Sequence, residues 1–258
     1  MTWNPAQYLK FAEHRLRPAI DLLNRVEAEA PRLIYDLGCG AGNVTRLLRL
    51  RWPLARIVGV DSSAEMLEQA RATLPDVEWV QADLATWRAE HPADVIYSNA
   101  ALQWLGDHPR LFPALLGSLS RSGILAVQMP RNHGAPSHTG MAEAARSGPW
   151  RARLEPLLRE SPVQPPAVYW ELLGGQGAAC DLWEAEYLQA LEGEDAVLQW
   201  TLGTALKPLL DALDGAEREL FLADYRRRMA TAYPRGRNGV TLFPFRRLFM
   251  IARRNGAE

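Results

Sequence analysis

Three carboxylates and three glycines stand at spacings that suit a small-molecule site. Asp36-Leu37-Gly38-Cys39-Gly40-Ala41-Gly42 follows a β-type run and opens a helical one, with glycines spaced GxGxG. Glycines there let the backbone pass close to a ligand with no Cβ in the way. Asp61 ends the next apolar run, about 20 residues beyond the loop, where a carboxylate can accept both hydroxyls of a ribose. Asp83 closes a third run, Val80-Gln81-Ala82-Asp83-Leu84, placed to receive an exocyclic amine. Each acid by itself is commonly a helix cap or a solvated strand end. Three at successive strand ends, on the ligand-binding edge of an open sheet, make a candidate site.

A dinucleotide loop has the pattern GxGxxG, and its last glycine would fall where this chain has Asn43. A dinucleotide needs a helix N-terminus aimed at pyrophosphate, whereas S-adenosylmethionine brings an amino-acid tail and a sulfonium. The GxGxG spacing favours the second ligand, with Asp36 acting directly or through water near its ammonium. Expected cofactor contacts are Asp36, Gly38, Gly40, Gly42, Asp61, Ser62, Asp83, Leu84 and Asn99, with S-adenosylhomocysteine as product. Cys39 is expected to pack inward as a small hydrophobe.

These residues need a scaffold that brings successive strand ends together. Val- and Ile-rich runs at 32–37, 56–60, 77–81, 93–98 and 123–129 alternate with helical spacers at 43–51, 64–74 and 109–119. That alternation predicts a parallel sheet covered by crossover helices. Ser62 and Ser63 stand where an N-cap is wanted, with Glu65 in the first turn. An amphipathic helix is expected within 8–29. Residues 133–166 form a loop-rich insertion around a short helix. A strand is expected at 181–191, two helices across 195–228 joined near Asp214-Gly215, and a last strand at 242–253, bulged or edge-placed at Pro244.

With 258 residues the chain can hold one α/β domain carrying a cap. A net charge of -1 gives no global field toward nucleic acid or an anionic membrane. The two cysteines, Cys39 and Cys180, have no metal-ligand spacing and imply a reducing compartment. No signal-peptide pattern opens the chain, and no apolar run reaches the ~20 residues of a membrane span. The expectation is a cytoplasmic protein with no metal, no nucleic acid and no membrane partner, monomeric or a homodimer.

The loop and acids resemble the class I methyltransferase superfamily over about 32–129. Further runs are similar to the trans-aconitate 2-methyltransferase family along nearly the whole chain. They are Trp3-Asn4-Pro5 with Tyr8-Leu9-Lys10-Phe11, Arg17-Pro18-Ala19, Asn99-Ala100-Ala101-Leu102-Gln103-Trp104, Ala126-Val127-Gln128-Met129-Pro130, and Pro136-Ser137-His138. Asp21-Leu22-Leu23, Asn132, Pro149-Trp150, Trp183 with Tyr187, Gly203-Thr204 with Leu206-Lys207-Pro208, Tyr233-Pro234 and Pro244-Phe245 with Arg247-Leu248-Phe249 complete the set. The resemblance implies an α/β, Rossmann-like fold with a seven-stranded, mostly parallel sheet of order 3-2-1-4-5-7-6. It implies one methyltransferase domain with an N-terminal helical segment (1–31), a cofactor core (32–130), cap insertions (131–180 and 194–240) and last strands (181–192 and 241–254). Departures are Lys207 where the family has Arg, Ala205 where it has Gly, and Arg121-Ser122-Gly123 where a Pro-Gly-Gly turn is usual. Lys207 keeps the charge and loses the planar fork that grips a carboxylate with two bonds.

The implied reaction esterifies one carboxylate of a small polycarboxylate, trans-aconitate, by direct in-line transfer. Its acceptor is already ionised, since carboxylic acids titrate near about 4, so no general base is required and no catalytic residue is assigned. Recognition falls to cations and hydrogen-bond donors: Trp104, His138, Lys207, Tyr233, Arg17 and Arg246 are expected to bind substrate. Further cationic candidates are Arg15, Arg131, His133, Arg235, Arg237 and Arg247, most of which would serve equally as solvated surface groups. Tyr8 and Phe11 could close over the cofactor. Arg226–Arg228 are expected to be the favourable C-terminal charges of an acidic helix. Alternatives are transfer to another small acid, a phenol or an amine, and a binding protein that keeps the cofactor without turnover. A nucleic-acid methyltransferase would need a basic stripe and an Asn-Pro-Pro-Tyr type floor after strand four, and neither is present.

Overall fold

Leu33-Ile34-Tyr35-Asp36-Leu37 is short and almost wholly apolar, the composition of a strand covered on both faces. In the computed structural model, which describes residues 12–158, 160–203 and 205–255, it forms β1 (Leu33–Leu37), an inner strand of a seven-stranded sheet. α2 (Asn43–Arg51), β2 (Arg56–Asp61), α3 (Ala64–Thr73), β3 (Glu78–Gln81), β4 (Ala93–Asn99), α4 (His108–Gly117) and β5 (Leu119–Pro130) follow, after a first helix α1 (Ala12–Asn24). Then come α5 (Pro136–Ser147), α6 (Arg151–Leu154), α7 (Pro166–Gly174), β6 (Ala179–Glu192), α8 (Ala196–Leu202), α9 (Lys207–Leu210), α10 (Gly215–Ala232) and β7 (Val240–Arg253). Strand order is β3-β2-β1-β4-β5-β7-β6, as the resemblance implied. β1 to β5 pair in parallel and β7 runs antiparallel to β5.

The described chain divides into two compact units. A sheet unit takes residues 15–130, 162–185 and 247–255. Its core gathers Tyr35, Val60, Ile96, Phe112, Val127 and Met250, all buried. A helical unit takes 12–14, 131–161 and 186–246, around Trp150, Trp200, Phe221, Tyr225, Phe243 and Phe245. Its aromatics meet edge to face, as the ring quadrupole prefers: Trp150 and Phe221 lie 5.7 Å apart at 76°.

Several expectations shift. Leu119 belongs to β5 and not to the preceding helix, because Leu119 pairs with Ala93 before a register shift that carries Val95 to Ile124. The Arg121-Ser122-Gly123 turn fills that bulge, with Ser122 at φ 65°. The expected cap segment divides at 161/162: Tyr169 of α7 hydrogen-bonds His108 at 2.6 Å and packs on Phe112 at 4.8 Å, both in the sheet unit. Among the described residues of 195–228 there are three helices where two were expected, with α9 the added turn. α10 continues to Ala232, so Arg226–Arg228 lie inside it and pair with Asp195, Asp224 and Glu143 instead of capping its end. β7 as a whole lies between β5 and β6, yet at Pro244 it is edge-placed toward β5, as expected. Pro244 sits past the β5 ladder, whose last pair is Pro130 with Arg247, so no β5 carbonyl lacks its donor there. Expectations placed on residues 1–11, Tyr8 and Phe11 among them, lie outside the described residues, and so does the side chain of Arg15.

Ile96 is wholly buried in β4, flanked by β1 and β5. Ile96→Ala should cost about 2–5 kcal/mol, read as a lower urea midpoint at unchanged slope.

Candidate active site

The turn after β1 is built on left-handed backbone. Gly38, Gly40 and Gly42 have φ of 73°, 54° and 81°. At Gly38 and Gly40 the reasons for glycine differ. A Cβ on Gly38 would stand 2.1 Å from the Ala101 Cβ, so the loop is pressed against the segment after β4, with Leu84 beside it. A Cβ on Gly40 would meet nothing within 4 Å, so backbone there faces open space. Gly38 and Cys39 both donate to the Val60 carbonyl, at 2.8 and 3.2 Å.

Asp61, the last residue of β2, holds the loop from the other side. Its Oδ2 accepts from Gly40 N and its Oδ1 from Ser63 N, each at 2.9 Å. A carboxylate has about four lone-pair sites, so room remains for two hydroxyl donors. Ser63, and not Ser62, is the N-cap of α3, accepting from Met66 N, while Ser62 gives its carbonyl to Gln81 Nε2 at 3.2 Å. Asp83 lies two residues past β3, not at its end. Its Oδ1 accepts from Ala85 N in a tight local turn, and the side chain is exposed at the same edge of the sheet.

Asp36 differs from the picture of an exposed acid at a strand end. It lies inside β1, is 2% exposed, and accepts from Thr45 Oγ1 at 2.6 Å. Burial first, then the nearby Asp61 charge, pushes its carboxyl up to about 7, against the Thr45 hydrogen bond that lowers it. Cys39 is buried as expected, and burial beside two carboxylates pushes its thiol far up, away from nucleophilic use.

At the end of β4, Asn99 pairs in register with Gln128 of β5. Ala100 takes φ 54°, unusual for a residue with a Cβ. Two bonds hold it: its N–H donates to the Gln128 carbonyl at 2.9 Å, and its carbonyl accepts from Gln103 Nε2 at 2.7 Å. Trp104, after this turn, is 62% exposed and is no core residue. Arg17 on α1 is exposed, also in the sheet unit.

His138, Tyr233, Lys207 and Arg246 belong to the helical unit. Tyr233 is buried, and its hydroxyl accepts from Ser137 N at 3.1 Å, next to His138. Tyr225 donates to the Ser137 carbonyl at 2.8 Å. The His138 ring lies 4.9 Å from that of His133. Burial, with the His133 charge second, pushes His138 down to about 4, so at neutral pH it is a neutral hydrogen-bonding group and not a cation. Lys207 is paired with Asp211 at 2.7 Å, one turn along. Arg246 is half exposed, 4.0 Å from Glu186. Arg235 is tied back to the Gly239 carbonyl. The sequence reading gave no individual role to Thr45, Gln103 or Gln128. Gln128 carried a visible signal, an amide inside an otherwise apolar run.

Two outcomes follow from the loop and from Asp36. Gly40→Ala should fold with a penalty of about 1–2 kcal/mol for the left-handed backbone, yet lose most S-adenosylhomocysteine affinity by calorimetry. Gly38→Ala should destabilise the fold itself, because its methyl meets the Ala101 Cβ. For Asp36, the raised folded-state value means the folded chain keeps a proton that the unfolded chain releases. The stability this confers is complete below about pH 4 and is lost as pH rises through about 7. Asp36→Asn should therefore gain relative to wild type across that window, by at most roughly 4 kcal/mol, in denaturation curves taken at stepped pH.

A methyltransferase-domain family model matches residues 34–123. The chain is 49% identical to a trans-aconitate 2-methyltransferase of Azoarcus sp. (strain BH72), over 97% of this chain and 98% of that one. It is 47% identical to a trans-aconitate 2-methyltransferase of Klebsiella pneumoniae (strain 342), over 98% of each. Among solved structures, the YcgJ protein from Bacillus subtilis matches with a TM-score of 0.62 at 15% identity, covering 93% of this chain and all of the other. A Haemonchus contortus phosphoethanolamine N-methyltransferase 2 in complex with S-adenosyl-L-methionine matches with a TM-score of 0.55 at 14% identity, over 93% of this chain and 53% of that one. At those identities the structural likeness speaks for the fold. With near full-length identity of 47–49%, the chain belongs to the trans-aconitate 2-methyltransferase family and is an S-adenosylmethionine-dependent methyltransferase.

Proposed function

We propose that the chain methylates one carboxylate oxygen of trans-aconitate, giving a monomethyl ester. The observation that carries this reading is the extent of the likeness to the named relatives. It runs over 97–98% of the chain, far beyond the methyltransferase-domain match at 34–123. A cytoplasmic enzyme with a single methyltransferase domain, acting on a diffusing anion as a monomer or homodimer, belongs to the same reading.

The cofactor would be held by Asp36, Gly38, Gly40, Gly42, Asp61, Ser62, Asp83, Leu84 and Asn99. Remaining lone pairs on Asp61 suit the ribose diol, the second oxygen of Asp83 suits an amine, and the open backbone over Gly40 suits the amino-acid tail. Bound there, S-adenosylmethionine would supply an activated methyl for in-line transfer to the carboxylate oxygen, with S-adenosylhomocysteine as the product. No proton has to move, because the acceptor is already a carboxylate at neutral pH. The protein's contribution is alignment, which can supply up to about 7–11 kcal/mol. Trp104, His138, Lys207, Tyr233, Arg17 and Arg246 are the residues assigned to the acceptor. Neutral His138 would serve as a hydrogen-bonding group, leaving the charge to Lys207 and the arginines. Lys207 shares its charge with Asp211, so its pull on an anion is moderated.

Labelled S-adenosylmethionine with trans-aconitate, cis-aconitate, isocitrate and citrate tests the reading. Preferential transfer to trans-aconitate is expected. Asp61→Ala should lose at least about 100-fold in kcat/KM, and Lys207→Ala should raise the acceptor KM by about 5–10-fold with little change in kcat. Cofactor binding without transfer to any of these acids would overturn the substrate assignment.

A further inference from the structure

Within the sheet unit, the link from β4 to α4 bends through a left-handed alanine, and one buried glutamine grips it. Ala100 has φ 54°, which glycine adopts freely and a residue with a Cβ adopts only at a cost. Its N–H is taken by the Gln128 carbonyl at 2.9 Å, continuing the pairing of β4 with β5. Its carbonyl accepts from Gln103 Nε2 at 2.7 Å. A carbonyl can only accept, so this bond fixes the amide, with Nε2 toward Ala100 and Oε1 directed elsewhere. That Oε1 is buried and has no partner.

Gln103 is 8% exposed and lies in a single 3₁₀ turn, Leu102–Trp104. The turn has anchors of its own. Trp104 N–H donates to the Ala101 carbonyl at 3.1 Å, and the Leu102 carbonyl accepts from His108 Nε2 at 3.0 Å. His108 Nδ1 in turn meets the Tyr169 hydroxyl at 2.6 Å. Gln103 therefore reaches back to Ala100 from a fixed base.

A buried amide with an unmatched oxygen is a poor stabiliser, since an apolar side chain of the same size would strand nothing. What the amide adds is its hold on Ala100. The next residue, Ala101, has its methyl in the space that Gly38 leaves free: a Cβ on Gly38 would stand 2.1 Å from it. The left-handed turn at Ala100 thus decides where Ala101 meets the glycine loop. We propose that Gln103 is a positioning residue for the cofactor: by clamping the Ala100 carbonyl it holds Ala101 against Gly38, and so sets the loop that carries S-adenosylmethionine. In this role it acts through Ala100 and Ala101 and touches neither cofactor nor acceptor. The role presupposes the cofactor placement proposed above.

Calorimetry of S-adenosylhomocysteine binding to the full chain, with melting temperatures alongside, tests this role. Gln103→Met keeps the volume and removes the donor. It should weaken binding about tenfold while the melting temperature holds or rises, a split that a purely structural glutamine would not give. Gln103→Glu keeps the shape and puts a carboxylate oxygen in place of the donor, and should lose at least as much. With trans-aconitate as acceptor, the cofactor KM should rise in parallel and the acceptor KM should stay within about threefold. Ala100→Gly supplies the left-handed backbone without strain, so Gln103→Met in that background should lose no more than about threefold. An equal loss in both backgrounds would show that Gln103 acts without Ala100 and would overturn the role. Unchanged affinity in Gln103→Met and Gln103→Glu also overturns it, and leaves the cofactor placement standing where Asp61→Ala still loses binding. Should Asp61→Ala bind as wild type does, the placement and the role fall together. If Gln103→Glu fails to fold, Gln103→Met in the two backgrounds decides.

Discussion

Asp61 holds the glycine-loop end of the sheet together. One oxygen takes the Gly40 N–H and the other the Ser63 N–H, so a single carboxylate fixes the glycine loop and the start of α3. Left-handed backbone at 38, 40 and 42 is freely available to glycine but does not select one shape; the bond from Gly40 to Asp61 does. The same carboxylate adds to the field around Asp36 and Cys39, where it opposes further ionisation. Architecture and electrostatics at this edge thus meet in one residue, and the loop cannot be understood from its glycines alone.

The inner strands β1, β2, β4 and β5 were legible because they are buried on both faces and so carry continuous apolar runs. Helix starts were legible where a cap is local, as with Ser63 and Met66. What escaped depends on partners distant in sequence. Leu119 looks helical until Ala93 is beside it, and the segment 162–185 joins the sheet unit through Tyr169 and His108, 61 residues apart. Asp36 looks like an exposed acid from its neighbours, whereas its burial is a property of the assembled sheet. Gln103 and Gln128 resemble ordinary polar positions until the strand pairing brings them to one region with Ala100 between them.

Charge in the helical unit shows the same dependence on context. A sequence count treats His133, His138 and Lys207 as three cationic opportunities. In the folded chain the two histidines are pushed toward neutrality by burial, and Lys207 is matched by Asp211. Tyr233, Ser137 and Tyr225 are engaged with one another through the backbone of residue 137. This group offers directed hydrogen bonds more than net charge.

Methyl transfer to a carboxylate asks little of an enzyme chemically: no base, no nucleophile of its own and no proton relay. What it does require is that an anion leave water, where it is well solvated, and reach an electrophile in one orientation. A polycarboxylate makes this harder, because each carboxylate not reacting must also be stripped and matched. Such a site should therefore show its function in buried donors lacking partners, and only weakly in catalytic groups. In the sheet unit the buried Gln128 Nε2, inside an otherwise apolar run of β5, is one such donor.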